Sequence, residues 1–138
     1  MIAVDSSVWI DLFADRQTIE TAVLERLVIA NERIVVGDLI LAEVLQGTTG
    51  PKNFKRTLDR LNEFDQFTVA SPSVAIAAAR NYQTLRTRGI TVRKTIDTLL
   101  ATRCILARTP LLYSDRDFDP FVEHLGLRSA LELDPGVN

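Results

Sequence analysis

Four acidic residues stand within stretches of sequence that are otherwise almost wholly apolar. They are Asp5, Glu43, Asp97 and Asp115. A carboxylate with a reference pKa of about 4 is ionised at neutral pH, and its removal from water costs several kcal/mol unless a cation or hydrogen-bond donors compensate. A fold that buries these stretches must therefore bring the four carboxylates to something positive. A divalent metal ion is the leading candidate.

The size and composition of the chain are those of an ordinary globular protein. It has 138 residues, of which 46% are hydrophobic and 25% charged, so we expect one domain over 1–138, with 133–138 as a loose tail. A single cysteine, Cys104, cannot form an internal disulfide and suits a reducing compartment. The apolar run before Asp5 has no basic leader, and no stretch approaches the roughly 20 apolar residues of a membrane helix. We therefore expect a cytoplasmic protein with no membrane partner.

Short apolar runs alternate with longer stretches of helical period, which predicts an α/β domain with a parallel sheet of four or five strands flanked by helices. Each helical stretch begins at a polar cap or proline and most end near a glycine, with Asp38 and Asp119 expected as caps. The predicted strands are 2–4, 33–36, 67–70 and 111–113, with a short fifth strand near 127–130. The predicted helices are one that runs through 8–13 with Ser6 or Ser7 as its cap, then 19–30, 38–46, 53–66 with Phe54 facing the core, 72–88, and one that begins at 94 or 95.

The acidic residues fall where parallel sheets carry functional groups. Asp5 follows the first strand and Asp115 the fourth, and the carboxyl ends of neighbouring parallel strands meet at one edge of a sheet. Glu43 and Asp97 lie early in helices expected to pack on that sheet, so they can complete an acidic pocket. Ligation by oxygen atoms alone favours Mg²⁺, with Mn²⁺ as a substitute, over zinc.

Four motifs in order along the chain resemble those of the PIN-domain nucleases, specifically the VapC-type toxins of toxin-antitoxin systems. They are Val4-Asp5-Ser6-Ser7-Val8-Trp9-Ile10, Leu41-Ala42-Glu43-Val44-Leu45-Gln46-Gly47, Thr95-Ile96-Asp97-Thr98-Leu99-Leu100-Ala101 and Ser114-Asp115-Arg116-Asp117-Phe118. The resemblance implies a PIN-like α/β domain and a metal-dependent endoribonuclease whose partner is a cognate antitoxin that inserts into the acidic pocket. It also implies that Asp5, Glu43, Asp97 and Asp115 form the catalytic quartet, with Asp117 as an auxiliary.

A bound divalent ion activates water and neutralises charge on a phosphate, so these residues can support hydrolysis of RNA phosphodiester bonds. We expect Asp5, Asp97 and Asp115 to ligate one or two Mg²⁺ ions, and Glu43 either to ligate or to hold the attacking water. Asp117 is a further candidate ligand, with positioning of water or bracing of its loop as alternatives. The chain has one histidine, His124, which argues against a pair of histidines acting through the RNA 2′-hydroxyl.

The residues predicted to hold RNA are a hydroxyl and two groups of basic side chains, each of which could instead be a solvated polar face. Ser6 follows the first strand, and its hydroxyl or backbone can reach a phosphate. The basic groups are Lys52, Lys55 and Arg56 on one helix, and Arg93 and Lys94 just before Asp97. Contacts from these side chains to phosphates would make affinity strongly dependent on salt.

One alternative function is left open by the sequence. The acidic pocket could be a non-catalytic module that only receives an arginine or lysine of another protein. We also expect a homodimer, in which the alanine-rich helix around 74–79 packs closely against a second copy.

Overall fold

The computed structural model describes residues 1–133, which form a four-stranded parallel sheet flanked by helices. The strand order is β3-β2-β1-β4. The strands are β1 (Ile2–Val4), β2 (Ile34–Gly37), β3 (Asp65–Phe67) and β4 (Leu111–Leu112). The helices are α1 (Ser6–Phe13), α2 (Ile19–Ile29), α3 (Asp38–Gln46), α4 (Gly50–Leu61), α5 (Pro72–Thr87), α6 (Thr95–Ala107) and α7 (Asp119–Leu125). Two 3₁₀ turns, Arg116–Phe118 and Ala130–Leu133, complete the described chain.

The predicted α/β class and parallel sheet are confirmed, and the first and fourth strands are neighbours. Ala3 lies in register with Val35 of β2 on one side and with Leu111 of β4 on the other. Strands β1, β2 and β4 are wholly buried, as expected for a parallel sheet covered on both faces. This order brings the carboxyl ends of β1 and β4 together.

The core contains the aromatic residues that the sequence placed in apolar settings. Trp9 and Phe118 are fully buried, and the ring centroids of Trp9 and Phe64 are 5.0 Å apart. The Cys104 side chain is also buried, and burial raises the pKa of its thiol to about 12, so it is an inert core group. Trp9 and Phe118 therefore serve packing rather than stacking on RNA bases.

Some predicted boundaries are wrong. The fifth strand near 127–130 is only a single parallel bridge between Leu111 and Ser129, within the part of the chain that the structure describes. Helix α4 spans Gly50–Leu61 instead of 53–66, because Gly50 adopts a positive φ of 80° and Pro51 suits the first turn. Phe54 was expected to face the core with Leu58 and Leu61, but it is 44% exposed. The third strand lies at Asp65–Phe67 rather than 67–70, and it is a polar edge strand.

Neither Asp38 nor Asp119 is the N-cap of its helix, although the sequence predicted both as caps. Asp38 is the first residue of α3, and its carboxylate accepts hydrogen bonds from the backbone N–H groups of Val69 (2.6 Å) and Ala70 (3.4 Å). Asp119 is the first residue of α7 and accepts a hydrogen bond from the phenol of Tyr113 at 2.9 Å. Asp38 therefore joins α3 to the segment after β3, and Asp119 joins α7 to Tyr113 beside the end of β4.

Of the predicted tail at 133–138, the structure describes only Leu133, which ends the second 3₁₀ turn. Residues 134–138 lie outside the described residues. Among the helices of the described chain, none combines the length and the apolar character that a membrane span requires.

We predict that Gly37→Ala destabilises the fold by about 2 kcal/mol, because overpacking of a filled core costs that order of free energy. A Cβ at Gly37 would lie 2.6 Å from Cγ2 of Val69, a stiff and fully buried side chain. Unfolding in urea gives the measurement.

The matched control is Gly47→Ala, where a Cβ would meet its nearest neighbour, the carbonyl oxygen of Val44, at an ordinary 3.6 Å. Equal unfolding free energies for the two variants would contradict the close packing of Gly37 on Val69.

Candidate metal centre

Asp5 is placed by the end of β1 and by the start of α1. Its backbone N–H donates to the carbonyl of Leu112 at 2.9 Å, which extends the pairing of β1 with β4. Its carboxylate caps α1 and accepts from the hydroxyl of Ser7 (2.6 Å) and from the Ser7 N–H (3.4 Å). The residue is 3% exposed, and burial raises the pKa of its carboxyl despite these hydrogen bonds. The cap of α1 is therefore Asp5 rather than Ser6 or Ser7.

Glu43 approaches from α3, which packs against α1. The hydroxyl of Ser6 donates to Glu43 Oε1 at 3.2 Å, which ties the two helices together beside Asp5. Glu43 is half-buried, and burial is the main cause that raises the pKa of its carboxyl, with the charge of Asp5 adding to it. Ser6 therefore positions Glu43, in addition to the RNA contact predicted for it.

Asp97 lies in the first turn of α6 and is 4% exposed. Its Oδ2 atom is buried and has no hydrogen-bond partner in the structure. Burial, followed by the charge of Asp5, raises the pKa of the Asp97 carboxyl to about 7. An unpartnered buried carboxylate oxygen is costly, so this atom is a candidate ligand for a cation.

Asp115 is in a different electrostatic situation from Asp97. Its Oδ1 accepts from the backbone N–H of Asp117 at 2.9 Å, and its Oδ2 accepts from Lys94 Nζ at 3.2 Å. The hydrogen bond from the Asp117 N–H is the main cause that lowers the pKa of the Asp115 carboxyl, and Lys94 contributes to it. Asp115 is therefore ionised under all conditions in which the protein is expected to work.

Three carboxylates form the compact group of the centre. Asp97, Asp115 and Asp117 each offer an oxygen within 4.8 Å of the others. Asp5 lies beside this group. Its charge raises the pKa of both Asp97 and Glu43, and the charge of Asp115 raises the pKa of Asp5. The four carboxylates singled out in the sequence therefore form one electrostatically coupled site, and Asp117 belongs to its compact group of possible ligands.

The structure adds a serine chain to this site. Ser114, which follows β4, donates to the Ser7 hydroxyl at 3.1 Å, and Ser7 donates to Asp5. The chain joins the segments that follow β1 and β4. The only signal in the sequence is a serine beside each strand-end aspartate, which does not identify a hydrogen-bond chain.

The predicted RNA-binding residues fall into two groups. Lys94 reaches the carboxylates, and Arg93 precedes it as an exposed residue. Lys52, Lys55 and Arg56 are exposed on α4, where Lys55 Nζ lies 2.9 Å from Asp59 Oδ2. Helix α4 packs against α3, the helix that carries Glu43. The RNA contacts themselves stay predictions.

The donor chemistry fits a hard divalent cation. All candidate ligands are carboxylate oxygens, which Mg²⁺ and Mn²⁺ prefer. The one basic side chain that forms an ion pair with these carboxylates within residues 1–133 is Lys94. Negative charge therefore exceeds positive charge in the centre.

We predict that the metal-free protein becomes less stable as the pH rises from about 4 to about 7. Folded Asp97 keeps its proton up to about pH 7, whereas the unfolded carboxyl loses it near pH 4, so the stabilisation from that proton disappears across this interval. The amide of Asp97→Asn is neutral at every pH, so at pH 8 this variant should have a free energy of unfolding about 2 kcal/mol higher than the wild type. This value is smaller than the full pKa shift implies, because water in the cleft screens the charge of Asp97.

Urea unfolding in EDTA between pH 4 and 8 measures this effect, with the exposed Asp59→Asn on α4 as the matched control. A wild-type pH profile in Asp97→Asn would contradict the assigned cost of the buried charge.

Comparison with known proteins agrees with this geometry. A family model for the PIN domain matches residues 2–122. The chain is 31% identical over 132 residues to VapC ribonuclease Mb1587 of Mycobacterium bovis and, equally, to ribonuclease VapC11 of Mycobacterium tuberculosis. Each alignment covers 94% of this chain and 98% of the relative.

Two solved structures share the fold. VapBC2 from Rickettsia felis, bound to a DNA fragment from its promoter, superimposes with a TM-score of 0.74 at 18% identity and covers 94% of this chain and 97% of its own. A toxin-antitoxin complex from Klebsiella pneumoniae gives a TM-score of 0.68 at 19% identity with the same coverage. Because the family model matches most of the chain and the VapC ribonucleases align over 94% of it, the chain belongs to the PIN domain family, within its VapC group.

Proposed function

We propose that this protein is a Mg²⁺-dependent endoribonuclease, the toxin component of a toxin-antitoxin module, that hydrolyses RNA phosphodiester bonds. The observation that carries the proposal is the buried Asp97 Oδ2, which lacks a partner and lies in a group of three carboxylates. Membership of the VapC group, whose relatives are named ribonucleases, supports the substrate class.

The bound ion would be held by Asp97, Asp115 and Asp117, with Asp5 beside them as a further ligand. When bound, Mg²⁺ lowers the pKa of water and neutralises charge on phosphate oxygens, and Mn²⁺ can supply the same chemistry. One or two ions fit this role.

Glu43 is the residue best suited to orient the attacking water and accept its proton. Ser6 fixes Oε1 of its carboxylate, and half-burial raises its pKa, which makes it a stronger base than an exposed glutamate. Asp5 is held by Ser7 and is buried, so it contributes a rigid negative charge rather than proton transfer.

A cognate antitoxin is the proposed protein partner. The solved structures that share the fold include toxin-antitoxin complexes. The excess of carboxylates in the centre would attract an arginine or lysine side chain from that partner, and such an insertion would displace the metal ion.

The proposed homodimer has less support from α5 than the sequence suggested. Val74 and Ala78 are buried within the protomer, whereas Ile76 is exposed on the same helix. A second copy would therefore contact the face that carries Ile76.

We predict that Asp97→Asn lowers the rate of RNA cleavage in Mg²⁺ by at least about 100-fold, the usual scale when a group that stabilises the transition state is lost. Asp5→Asn should have a similar effect, although its amide oxygen can still accept the hydrogen bonds of Ser7. Cleavage of a mixed RNA pool, followed by sequencing of the new 5′ ends, gives the rate and the cut positions.

The control is Asp119→Asn, because Asp119 bonds Tyr113 and its amide oxygen preserves that contact. EDTA should abolish cleavage and added Mg²⁺ should restore it. Equal turnover in wild type, Asp5→Asn and Asp97→Asn would instead favour the non-catalytic acidic pocket.

We predict that Lys52→Gln combined with Arg56→Gln weakens RNA binding and flattens its salt dependence. Loss of two phosphate contacts should reduce the slope of log affinity against log salt by about 1.4 for single-stranded RNA. Binding is measured in an Asp5→Asn background, which keeps the RNA intact.

The matched control removes the same charge elsewhere, with Arg16→Gln and Arg33→Gln, whose guanidinium groups pair with Asp11 and Asp65. An identical change in slope for both double variants would show that only net charge matters and would refute a specific role for α4.

A further inference from the structure

Lys94 is a positive group built into an otherwise acidic centre. Its Nζ lies 3.2 Å from Asp115 Oδ2, and the charges of Asp115, Asp97 and Asp117 all raise the pKa of its ammonium group. Lys94 in turn lowers the pKa of the Glu43 carboxyl and opposes the rise at Asp97. One ammonium group thus interacts with four of the five carboxylates of the centre.

The side chain of Lys94 is exposed, whereas its backbone holds the start of α6. Lys94 is the N-cap residue of α6, and its carbonyl accepts from the Thr98 N–H at 3.3 Å and from the Thr98 hydroxyl at 3.4 Å. The side chain takes no part in capping and is 57% exposed. The ammonium group can therefore leave Asp115 without disturbing the helix that carries Asp97.

The hydrogen bonds of Asp115 show why this movement matters. Oδ1 accepts from the backbone of Asp117, which the 3₁₀ turn fixes, whereas Oδ2 accepts, among the described residues, only from the exposed Lys94 side chain. A divalent cation that approached Oδ2 would meet the ammonium charge at close range, and like charges at such distances repel strongly. Lys94 and the ion therefore compete for the negative charge of this carboxylate.

We propose that Lys94 is an internal counter-cation, which holds Asp115 in the metal-free protein and competes with the divalent ion for its Oδ2 atom. The inference rests on the proposed function, since it concerns metal binding at the same centre. The proposed role of Lys94 differs from a simple RNA contact, because the side chain weakens binding of the metal ion.

Displacement of Lys94 has a consequence for RNA. The freed ammonium remains beside the centre, at the start of α6, and the N–H that had donated to Asp115 can donate to a phosphate instead. The partner of the Lys94 ammonium group therefore changes from the Asp115 carboxylate to a phosphate. Substitution of Lys94 should tighten metal binding and weaken RNA binding.

The test is calorimetric titration of Mn²⁺ into RNA-free wild-type protein and Lys94→Met. We expect Lys94→Met to bind Mn²⁺ about threefold to tenfold more tightly, the range that follows from loss of an exposed ion pair and of the repulsion. Lys94→Arg keeps the charge and should bind with an affinity close to that of the wild type.

The matched control is Lys55→Met, because Lys55 forms a comparable exposed ion pair with Asp59 on α4. Its Mn²⁺ affinity should equal that of the wild type. In thermal melts, Lys94→Met should lower the midpoint of the metal-free protein and enlarge the increase that Mn²⁺ produces.

The outcomes separate this inference from the proposed function. If wild type binds Mn²⁺ and cleaves RNA but Lys94→Met binds Mn²⁺ equally or more weakly, the competition is refuted and the nuclease stands. If wild type binds no Mn²⁺ at millimolar concentration, the metal-dependent nuclease and the competition are both overturned.

Discussion

The parallel pairing of β1 with β4 is the interaction on which the acidic centre depends. The N–H of Asp5 donates to Leu112, so the last hydrogen bond of this pairing is made by a residue whose side chain enters the centre. The bond from Ser114 to Ser7 then joins segments that are 107 positions apart. Because both strands run in the same direction, one short pairing brings Asp5 and Asp115 to the same edge of the sheet.

The centre combines neighbouring carboxylates in opposite electrostatic states. Asp97 is buried with an unpartnered oxygen and its pKa is raised to about 7, whereas the Asp117 N–H and Lys94 lower the pKa of Asp115. The fold compensates the charge of Asp115 with an ammonium group and a backbone N–H, and it leaves the Asp97 carboxyl without such a partner at Oδ2. This imbalance favours any cation that can reach the cleft, whether an ion, the Lys94 ammonium or a basic side chain of a partner protein.

The sequence was sufficient for the α/β class, the parallel sheet and the convergence of the acidic residues, because apolar periodicity and strand-end carboxylates are local signals. It failed at the cap of α1, at Asp38 and at Asp119, because a carboxylate beside a helix start can bond its own helix or a group outside it, as Asp38 bonds the Val69 backbone and Asp119 the Tyr113 phenol. Phe54 was misplaced because helical spacing shows which residues share a face with Leu61, but not how far along α4 that face is covered. The pairing of Lys94 with Asp115 depends on tertiary contacts that no local pattern encodes.

The bond between Asp38 and Val69 links the outer edge of the sheet to the reaction centre. Helix α3 begins at Asp38 and carries Glu43 one turn later, while Val69 belongs to the segment that follows the edge strand β3. The start of the helix that carries the glutamate is therefore tied to this peripheral segment by two main-chain donors, the N–H groups of Val69 and Ala70. A substitution that disturbs the segment would loosen the start of α3 without touching any residue of the acidic centre.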